Sequence, residues 1–157
     1  MNCALMTAAH LVATLGGAGR LGPAPGTVGS ALVLPAVLLG PRWCLALSAL
    51  LLALGWWAVA TLGGEAAEED AGWVVVDEGA GQLLALAAVP PLSGLSGAAA
   101  LAWVAAAFAL FRLFDVAKPP PVSWADARPG VAGVMLDDLL AGAMAAAAIL
   151  AARAALG

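Results

Sequence analysis

In the segment GVMLDDLLAG, residues 133–142, two acids, Asp137 and Asp138, stand side by side among apolar residues. It belongs to an apolar run, residues 132–156, that is long enough to cross a bilayer as one helix. A carboxylate at the centre of a membrane helix costs roughly 2.5–3.5 kcal/mol on insertion scales. Two adjacent carboxylates therefore need a metal ion, a basic group or a proton as partner. The pair indicates a functional site, although a structural ion pair would also account for it.

The composition of the whole chain is typical of a membrane protein. Of its 157 residues, 64% are hydrophobic and 10% are charged, whereas soluble domains are roughly 45–50% apolar and about 25% charged. The length fits a single domain, residues 1–157. Six basic residues without a basic stripe argue against nucleic-acid binding. Cys3 and Cys44 lack metal-binding or redox spacing, so we expect them to be packing residues.

Apolar stretches along the chain predict an all-α fold. Six can be marked, at residues 3–15, 28–40, 43–62, 79–92, 97–114 and 132–156. Only the third, fifth and sixth approach the ~20 residues that a spanning helix needs. We therefore expect a compact membrane-embedded bundle of about six helices, some shorter than a full bilayer span. Small residues such as Gly142 and Ala146 should let these helices approach closely.

If the stretches cross the membrane consecutively, the polar loops collect on one face. These are the loops at 16–27, 63–76 and 115–131, whereas the connections at 41–42 and 93–96 lie opposite. Four basic residues fall on the first face and two on the other: Arg20, Arg112, Lys118 and Arg128 against Arg42 and Arg153. This modest excess predicts that the polar face is cytoplasmic.

Two helix starts carry groups that suit a phosphate or a cation. The glycine-rich loop 16–30 leads into a helix for which Thr27 is an N-cap candidate, and free amides at a helix start suit phosphate oxygens. A tight turn with a capped helix explains this loop equally simply. Asp77 and Glu78 are either ligands for a hard cation or acids that complement a helix dipole. The acids just upstream fit a solvated charge run: Glu65, Glu68, Glu69 and Asp70.

A third polar segment follows the fifth apolar stretch. Arg112 and Asp115 are spaced i,i+3, so they can pair on one helix face. The prolines 119–121 after Lys118 predict an extended segment at the membrane edge. Snorkelling bases and an interfacial Trp124 explain part of this segment. They explain less well why Asp115 stands at the end of a spanning helix.

Taken together, these segments place five acids and three bases near one membrane face. The acids are Asp77, Glu78, Asp115, Asp137 and Asp138, and the bases are Arg112, Lys118 and Arg128. Carboxylate oxygens suit Mg²⁺, and zinc is disfavoured because His10 is the only histidine. The bases suit a phosphate. A metal, a phosphate and a bilayer together indicate chemistry on a phospholipid headgroup.

Several kinds of phosphate chemistry are excluded by inspection. The chain has no Cys-x5-Arg, no Asp-x-Asp and only one histidine, which removes the phosphocysteine, aspartyl-phosphatase and histidine-nucleophile routes. The spacing of Asp126, Arg128 and the Asp137–Asp138 pair disfavours a phosphatidyltransferase. An ion-coupled transporter and a non-catalytic scaffold remain as alternatives. A transporter would need acids distributed across the membrane depth, and here they cluster near one face.

Four motifs together resemble the phosphatidylglycerophosphatase A family, in its order and spacing. They are PGTVGS at 25–30, VDEGAG at 76–81, FRLFDVAK at 111–118 and GVMLDDLLAG at 133–142. Pro120 and Val131 stand where the family commonly has Trp and Gly. The resemblance implies a Mg²⁺-dependent phosphatase of the bacterial inner membrane. The implied reaction converts phosphatidylglycerophosphate into phosphatidylglycerol and inorganic phosphate.

On this resemblance, roles can be assigned to the polar residues. Asp77, Glu78, Asp137 and Asp138 would hold Mg²⁺, with Asp115 as a further ligand or a base. Arg112, Lys118 and Arg128 would clamp the phosphate, and Gly26 with Thr27 would donate to it. We expect water to be the nucleophile, because a carboxylate already on Mg²⁺ is a poor one. The oligomeric state stays open.

Overall fold

The computed structural model describes residues 3–66 and 71–156, and the regular structure within these ranges is helical throughout. Seven α-helices are present there: α1 Cys3–Ala13, α2 Pro25–Leu32, α3 Pro41–Leu62, α4 Val76–Ala87, α5 Gly97–Ala117, α6 Val122–Asp126 and α7 Val131–Leu156. Short 3₁₀ helices cover Ala18–Arg20, Leu34–Leu39, Gly64–Ala66 and Leu92–Gly94. The all-α expectation is confirmed. Of the expected charge run, Glu68, Glu69, Asp70 and the side chain of Glu65 lie outside the described residues.

Three of these helices are long and apolar enough to cross a membrane. They are α3, α5 and α7, with 22, 21 and 26 residues. They correspond to the three stretches that the sequence singled out as spans. Large apolar side chains project from α3 and α5 to the outside, among them Trp43 and Leu101. An apolar outer surface of this kind suits lipid rather than water, so the protein is a membrane protein.

The centre of the bundle is the short helix α4. It has 12 residues, which at about 1.5 Å per residue is too short to cross a bilayer. Nearly all of its residues are buried, because α2, α3, α5 and α7 all pack against it. The long helices thus shield a polar helix start that would be costly in contact with lipid.

Glycines bring α4 and α7 into backbone contact. A Cβ on Gly142 would lie 2.8 Å from the Cα of Gly81. A Cβ on Gly81 would collide with the carbonyl of Asp138 and lie 2.6 Å from Cε2 of Phe111. Any side chain at Gly81 would therefore push the two helices apart. This crossing fixes the start of α4 beside the Asp137–Asp138 pair.

The expected N-cap at Thr27 is wrong. Helix α2 already begins at Pro25, its N-cap residue is Ala24, and no side chain caps it. Proline favours the first helical position because its φ is already helical and it has no N–H to leave unpaired. Thr27 consequently lies within the first turn.

Two other segments differ from expectation because of their prolines. The stretch 28–40 is not one helix, since α2 ends at Leu32 and a 3₁₀ helix containing Pro35 follows. The extended segment expected at 119–121 is instead a turn into α6, in which the amide of Val122 donates to the carbonyl of Pro119 at 2.8 Å. This turn returns the chain towards the end of α5 and over the start of α7.

Candidate active site

A cavity of about 230 Å³, which we call the acid cavity, opens at one end of the bundle. It is bounded by the start of α4, the end of α5, α6 and the first turns of α7. The five acids selected from the sequence all line it, together with one further acid and one lysine: Asp77, Glu78, Asp115, Asp137, Asp138, Asp126 and Lys118. The structure therefore brings together polar residues that are up to 61 positions apart (Asp77 to Asp138).

Three carboxylates in the acid cavity form a close cluster. Asp77, Glu78 and Asp138 can each offer an oxygen so that all three atoms lie within 4.8 Å of one another. Two come from the first turn of α4 and one comes from α7, which is why the glycine crossing matters for the site. Asp77 and Asp138 are buried and Glu78 is half-buried. Oε2 of Glu78 and Oδ1 of Asp138 are buried without a hydrogen-bond partner among the described residues.

The electrostatics of this cluster favour a bound cation. Burial, and then the charge of Glu78, raise the pKa of the Asp77 carboxyl, and burial also raises the pKa of Glu78. Like charges at such distances cannot all stay ionised without compensation. Buried, unpartnered carboxylate oxygens are the donor set that a hard divalent cation such as Mg²⁺ prefers. The residues present therefore fit the metal expected from the sequence.

Asp137 pairs with a lysine, whereas the adjacent Asp138 belongs to the carboxylate cluster. Successive helical residues point about 100° apart, and Oδ2 of Asp137 accepts a hydrogen bond from Nζ of Lys118 at 3.1 Å. The same ammonium pairs with Asp126. Of the four acids assigned to the metal, three thus form the close cluster and the fourth is bound to a lysine. Oδ1 of Asp137 stays buried and unpartnered among the described residues.

The backbone of Lys118 directs a cation into the acid cavity. Lys118 ends α5 in the left-handed region, at φ 44°, where a residue with a Cβ is strained. Burial lowers the pKa of its ammonium, but hydrogen bonds and charge from Asp126 and Asp137 outweigh this effect and raise the pKa above its ordinary value. Lys118 therefore stays protonated at neutral pH beside the carboxylate cluster.

Arg112 lies between the carboxylates and the start of α2. Its Nη1 lies 2.6 Å from Oδ2 of Asp115 and forms an ion pair with it. The i,i+3 pairing expected from the sequence is confirmed. A Cβ on Gly26 would collide with the carboxylate of Glu78 and lie 3.3 Å from the same Nη1. Gly26 is therefore in direct contact with the site, whereas the side chain of Thr27 is exposed.

Arg128 lies elsewhere. Its exposed side chain lines a separate groove with Trp124, Leu136 and neighbouring apolar residues. Asp126, which sequence reasoning did not select, takes a place in the acid cavity instead. The sequence feature that could have indicated Asp126 is its position shortly after Lys118 and the proline turn at 119–121. That signal becomes specific only when α6 is known to fold back onto Lys118.

Comparison with known proteins gives the family. A family model described as phosphatidylglycerophosphatase A matches residues 11–153. The chain belongs to the phosphatidylglycerophosphatase A family. As a member it is a phosphatase, and the four motifs of the phosphatidylglycerophosphatase A pattern contribute residues in or against the acid cavity.

Individual relatives agree with this assignment. The phosphatidylglycerophosphatase A of Haemophilus influenzae is 38% identical over 143 residues, covering 87% of this chain and 83% of that protein. The Escherichia coli phosphatidylglycerophosphatase A is 34% identical over 142 residues, covering 87% and 78%. A Bacteroides thetaiotaomicron protein provisionally named a phosphatidylinositol-3-phosphatase is 46% identical over 74 residues, covering 47% and 43%. No solved structure matches the chain.

Proposed function

We propose that this protein hydrolyses the terminal phosphomonoester of phosphatidylglycerophosphate and releases phosphatidylglycerol and inorganic phosphate. The observation that supports this most directly is the cluster of Asp77, Glu78 and Asp138 beside a protonated Lys118, at one end of a membrane bundle. Such a site can hold a cation and an anionic phosphate together. The names of the two relatives that cover most of the chain supply the substrate.

Asp77, Glu78 and Asp138 would hold Mg²⁺, and the unpartnered Oδ1 of Asp137 is available as a further donor. When bound, the ion would withdraw charge from the phosphate and stabilise the charge that develops as the ester breaks. The carboxylates contribute by being fixed in place before the substrate arrives. The crossing of α4 and α7 holds them in place, because the backbones of the two helices are in contact at Gly81 and Gly142.

Lys118 and Arg112 would bind the phosphate oxygens. Both carry a charge that carboxylates already orient, Lys118 through Asp126 and Asp137 and Arg112 through Asp115. Charge-assisted hydrogen bonds from such groups to a phosphate are short and strong. Gly26 would let the Glu78 carboxylate and the Arg112 guanidinium lie against the first turn of α2, which keeps both groups close to the bound phosphate. Arg128 is left out of this clamp because its side chain lines another groove.

We propose water as the nucleophile. The oxygen of water bonds to phosphorus as the bond from phosphorus to the glycerol oxygen breaks, and the glycerol oxygen takes a proton from solvent water and leaves as an alcohol. Asp115 would accept the proton of the attacking water, since it lines the acid cavity but lies outside the close carboxylate cluster. Carboxylates engaged with a cation are poor nucleophiles, which argues against a covalent phospho-enzyme.

The same proposal places the protein in the bacterial inner membrane with the acid cavity on the cytoplasmic face. The support is the excess of basic residues in the loops and helix ends at that end of the bundle, four against two. The orientation can be tested by treating single-cysteine variants with a thiol reagent that does not cross the membrane, added from one side or the other. Modification of Gly72→Cys only from the periplasm would overturn the assignment.

The decisive experiment is phosphate release by purified protein in a neutral, phosphate-free detergent. Phosphatidylglycerophosphate is compared with phosphatidylinositol 3-phosphate and phosphatidic acid, each with Mg²⁺ and with EDTA. We expect release from phosphatidylglycerophosphate that stops with EDTA and returns when Mg²⁺ is restored. Release that is indifferent to EDTA would remove the metal from the proposal. Faster hydrolysis of the inositol lipid would reassign the substrate, and no release from folded protein would favour a transporter.

A further inference from the structure

A second cavity of about 500 Å³ lies beside the acid cavity. Its lining combines one arginine, one histidine, one tryptophan and apolar side chains: Arg20, His10, Trp73, Met6 and Leu62, with Gly63 and Ala66. The catalytic proposal uses none of these residues. We call this space the headgroup cavity.

The two cavities are separated by one short segment of chain, residues 71–74. Ala71, Gly72 and Val74 line the acid cavity, whereas Trp73 between them lines the headgroup cavity. A ligand that fills both would therefore need two anionic groups joined by a short linker. In phosphatidylglycerophosphate a single glycerol unit links the terminal phosphate to the phosphodiester.

The fold holds Arg20 against this segment. Arg20 ends the 3₁₀ helix Ala18–Arg20, and its neighbour Gly19 packs directly on the carbonyl of Trp73. A Cβ on Gly19 would collide there and lie 3.1 Å from Cγ2 of Val75. The glycine contact thus fixes the position of the arginine relative to the tryptophan.

The polar groups of the headgroup cavity suit an anion at a membrane interface. The ring of His10 lines this cavity and packs against Trp73 at 5.4 Å between centroids. Arg20 supplies a permanent positive charge at the exposed mouth. An indole beside the apolar Met6 and Leu62 is typical of the depth at which lipid headgroups meet acyl chains.

We propose that the headgroup cavity binds the phosphodiester of an anionic glycerophospholipid through Arg20 and His10. The inference rests on the proposed function for its substrate, because the acid cavity would hold the terminal phosphate of the same lipid. The bound phosphodiester belongs either to the substrate itself or to an anionic lipid beside it. Both lipids present the same phosphodiester group. They can be distinguished because only binding of a neighbouring lipid depends on lipid added besides the substrate.

The test compares Arg20→Gln with Arg42→Gln as a matched control. Both arginines are exposed, but Arg42 lies at the start of α3, at the opposite end of the bundle. In neutral, phosphate-free micelles we expect Arg20→Gln to raise KM for phosphatidylglycerophosphate roughly 10-fold or more while kcat is retained. Arg42→Gln should leave both parameters unchanged. Equal KM values for the two variants both without and with added phosphatidylglycerol, or a loss confined to kcat, would overturn the proposal.

Two further measurements guard against a folding defect and identify the source of the phosphodiester. His10→Phe keeps a ring against Trp73 but removes both ring nitrogens, and we expect it to raise KM as well. An Arg20 effect already present without other lipid assigns the site to the substrate's own phosphodiester. An effect that appears only after phosphatidylglycerol is added assigns it to a neighbouring lipid.

Direct binding separates failure of this inference from failure of the proposed function. Phosphatidylglycerol carries the phosphodiester but no terminal phosphate, so its binding can be titrated by tryptophan fluorescence without any turnover. We expect roughly 10-fold weaker binding to Arg20→Gln than to the wild type or to Arg42→Gln. Equal binding by all three proteins would refute the headgroup cavity even if phosphatidylglycerophosphate is hydrolysed.

Discussion

The two ends of the bundle treat buried polar groups in opposite ways. At the end away from the acid cavity, Nη1 of Arg153 donates to the carbonyl of Ala88 at 2.9 Å. At the acid cavity, carboxylate oxygens of Glu78, Asp137 and Asp138 are buried and unpartnered among the described residues. Each unsatisfied buried group costs about 1–3 kcal/mol, and more if charged.

The contrast distinguishes polar groups that hold the fold from groups kept ready for a ligand. A carbonyl that ends a helix inside the bundle needs a donor, and Arg153 supplies one. The carboxylates of the acid cavity instead keep oxygens available at the expense of stability, as functional sites commonly do. Four sets of variants test this distinction, beginning with the one expected to lower activity most.

Asp138→Asn should have the largest effect. It keeps the shape of the side chain but weakens the cation site, so we expect phosphate release to fall by on the order of 10³-fold or more. Ser48→Ala is the control, because Ser48 is also buried and polar but its hydroxyl is satisfied by the carbonyl of Ala80 at 2.8 Å. That variant should lose about 1 kcal/mol of stability and keep its activity. An active, folded Asp138→Asn protein would remove Asp138 from the site.

Gly81→Ala should come next. Its new Cβ would collide with the carbonyl of Asp138, separate α4 from α7 and move two carboxylates away from the third. A shift of about 1 Å can lower activity about 10²-fold, and overpacking should cost about 1–3 kcal/mol of stability. Gly97→Ala is the matched control, since a Cβ there meets only open space. Full activity of Gly81→Ala would show that the crossing does not position the site.

Lys118→Gln should act mainly on the substrate. Removing a cation that contacts the phosphate should lower kcat/KM roughly 10- to 100-fold. Asp126→Asn should have a smaller effect in the same direction, because Asp126 orients the ammonium without touching the substrate. Steady-state kinetics on both variants would check this order. A larger loss for Asp126→Asn would instead place Asp126 in contact with the reacting groups.

Arg153→Gln should have the smallest effect on catalysis. It removes the donor to the Ala88 carbonyl and should lower the free energy of unfolding by about 1 kcal/mol, while kcat and KM stay at their wild-type values. Thermal unfolding in detergent and phosphate release on the same sample would measure both. A catalytic defect in this variant would break the distinction between the two ends.

The sequence alone was sufficient to select most of the candidate site. Five acids at helix starts and ends stood out because a carboxylate is rare and costly within apolar segments. Their order and spacing gave the family, which the comparison confirmed. The long helices were also evident, because about 20 apolar residues have few alternatives to a spanning helix.

Turns and pairings were less predictable. Thr27 was expected to cap α2, but Pro25 begins that helix earlier, since a local preference for proline at the first position competes with capping. Asp126 was missed and Arg128 was assigned to the phosphate, because the direction of the chain after Lys118 depends on how α6 packs on α7.

That the protein is an all-helical membrane phosphatase, and which acids it carries, could be read from its residues alone. Hydrophobicity and residue type act locally, so they can be read without the fold. Which of the carboxylates lie next to one another depends on how the helices pack. The contact of Gly81 with Gly142 places Asp138 beside Asp77 and Glu78. Asp137 instead accepts a hydrogen bond from Lys118, at the end of α5. Distances between residues on different helices follow from packing, in which each contact depends on all the others.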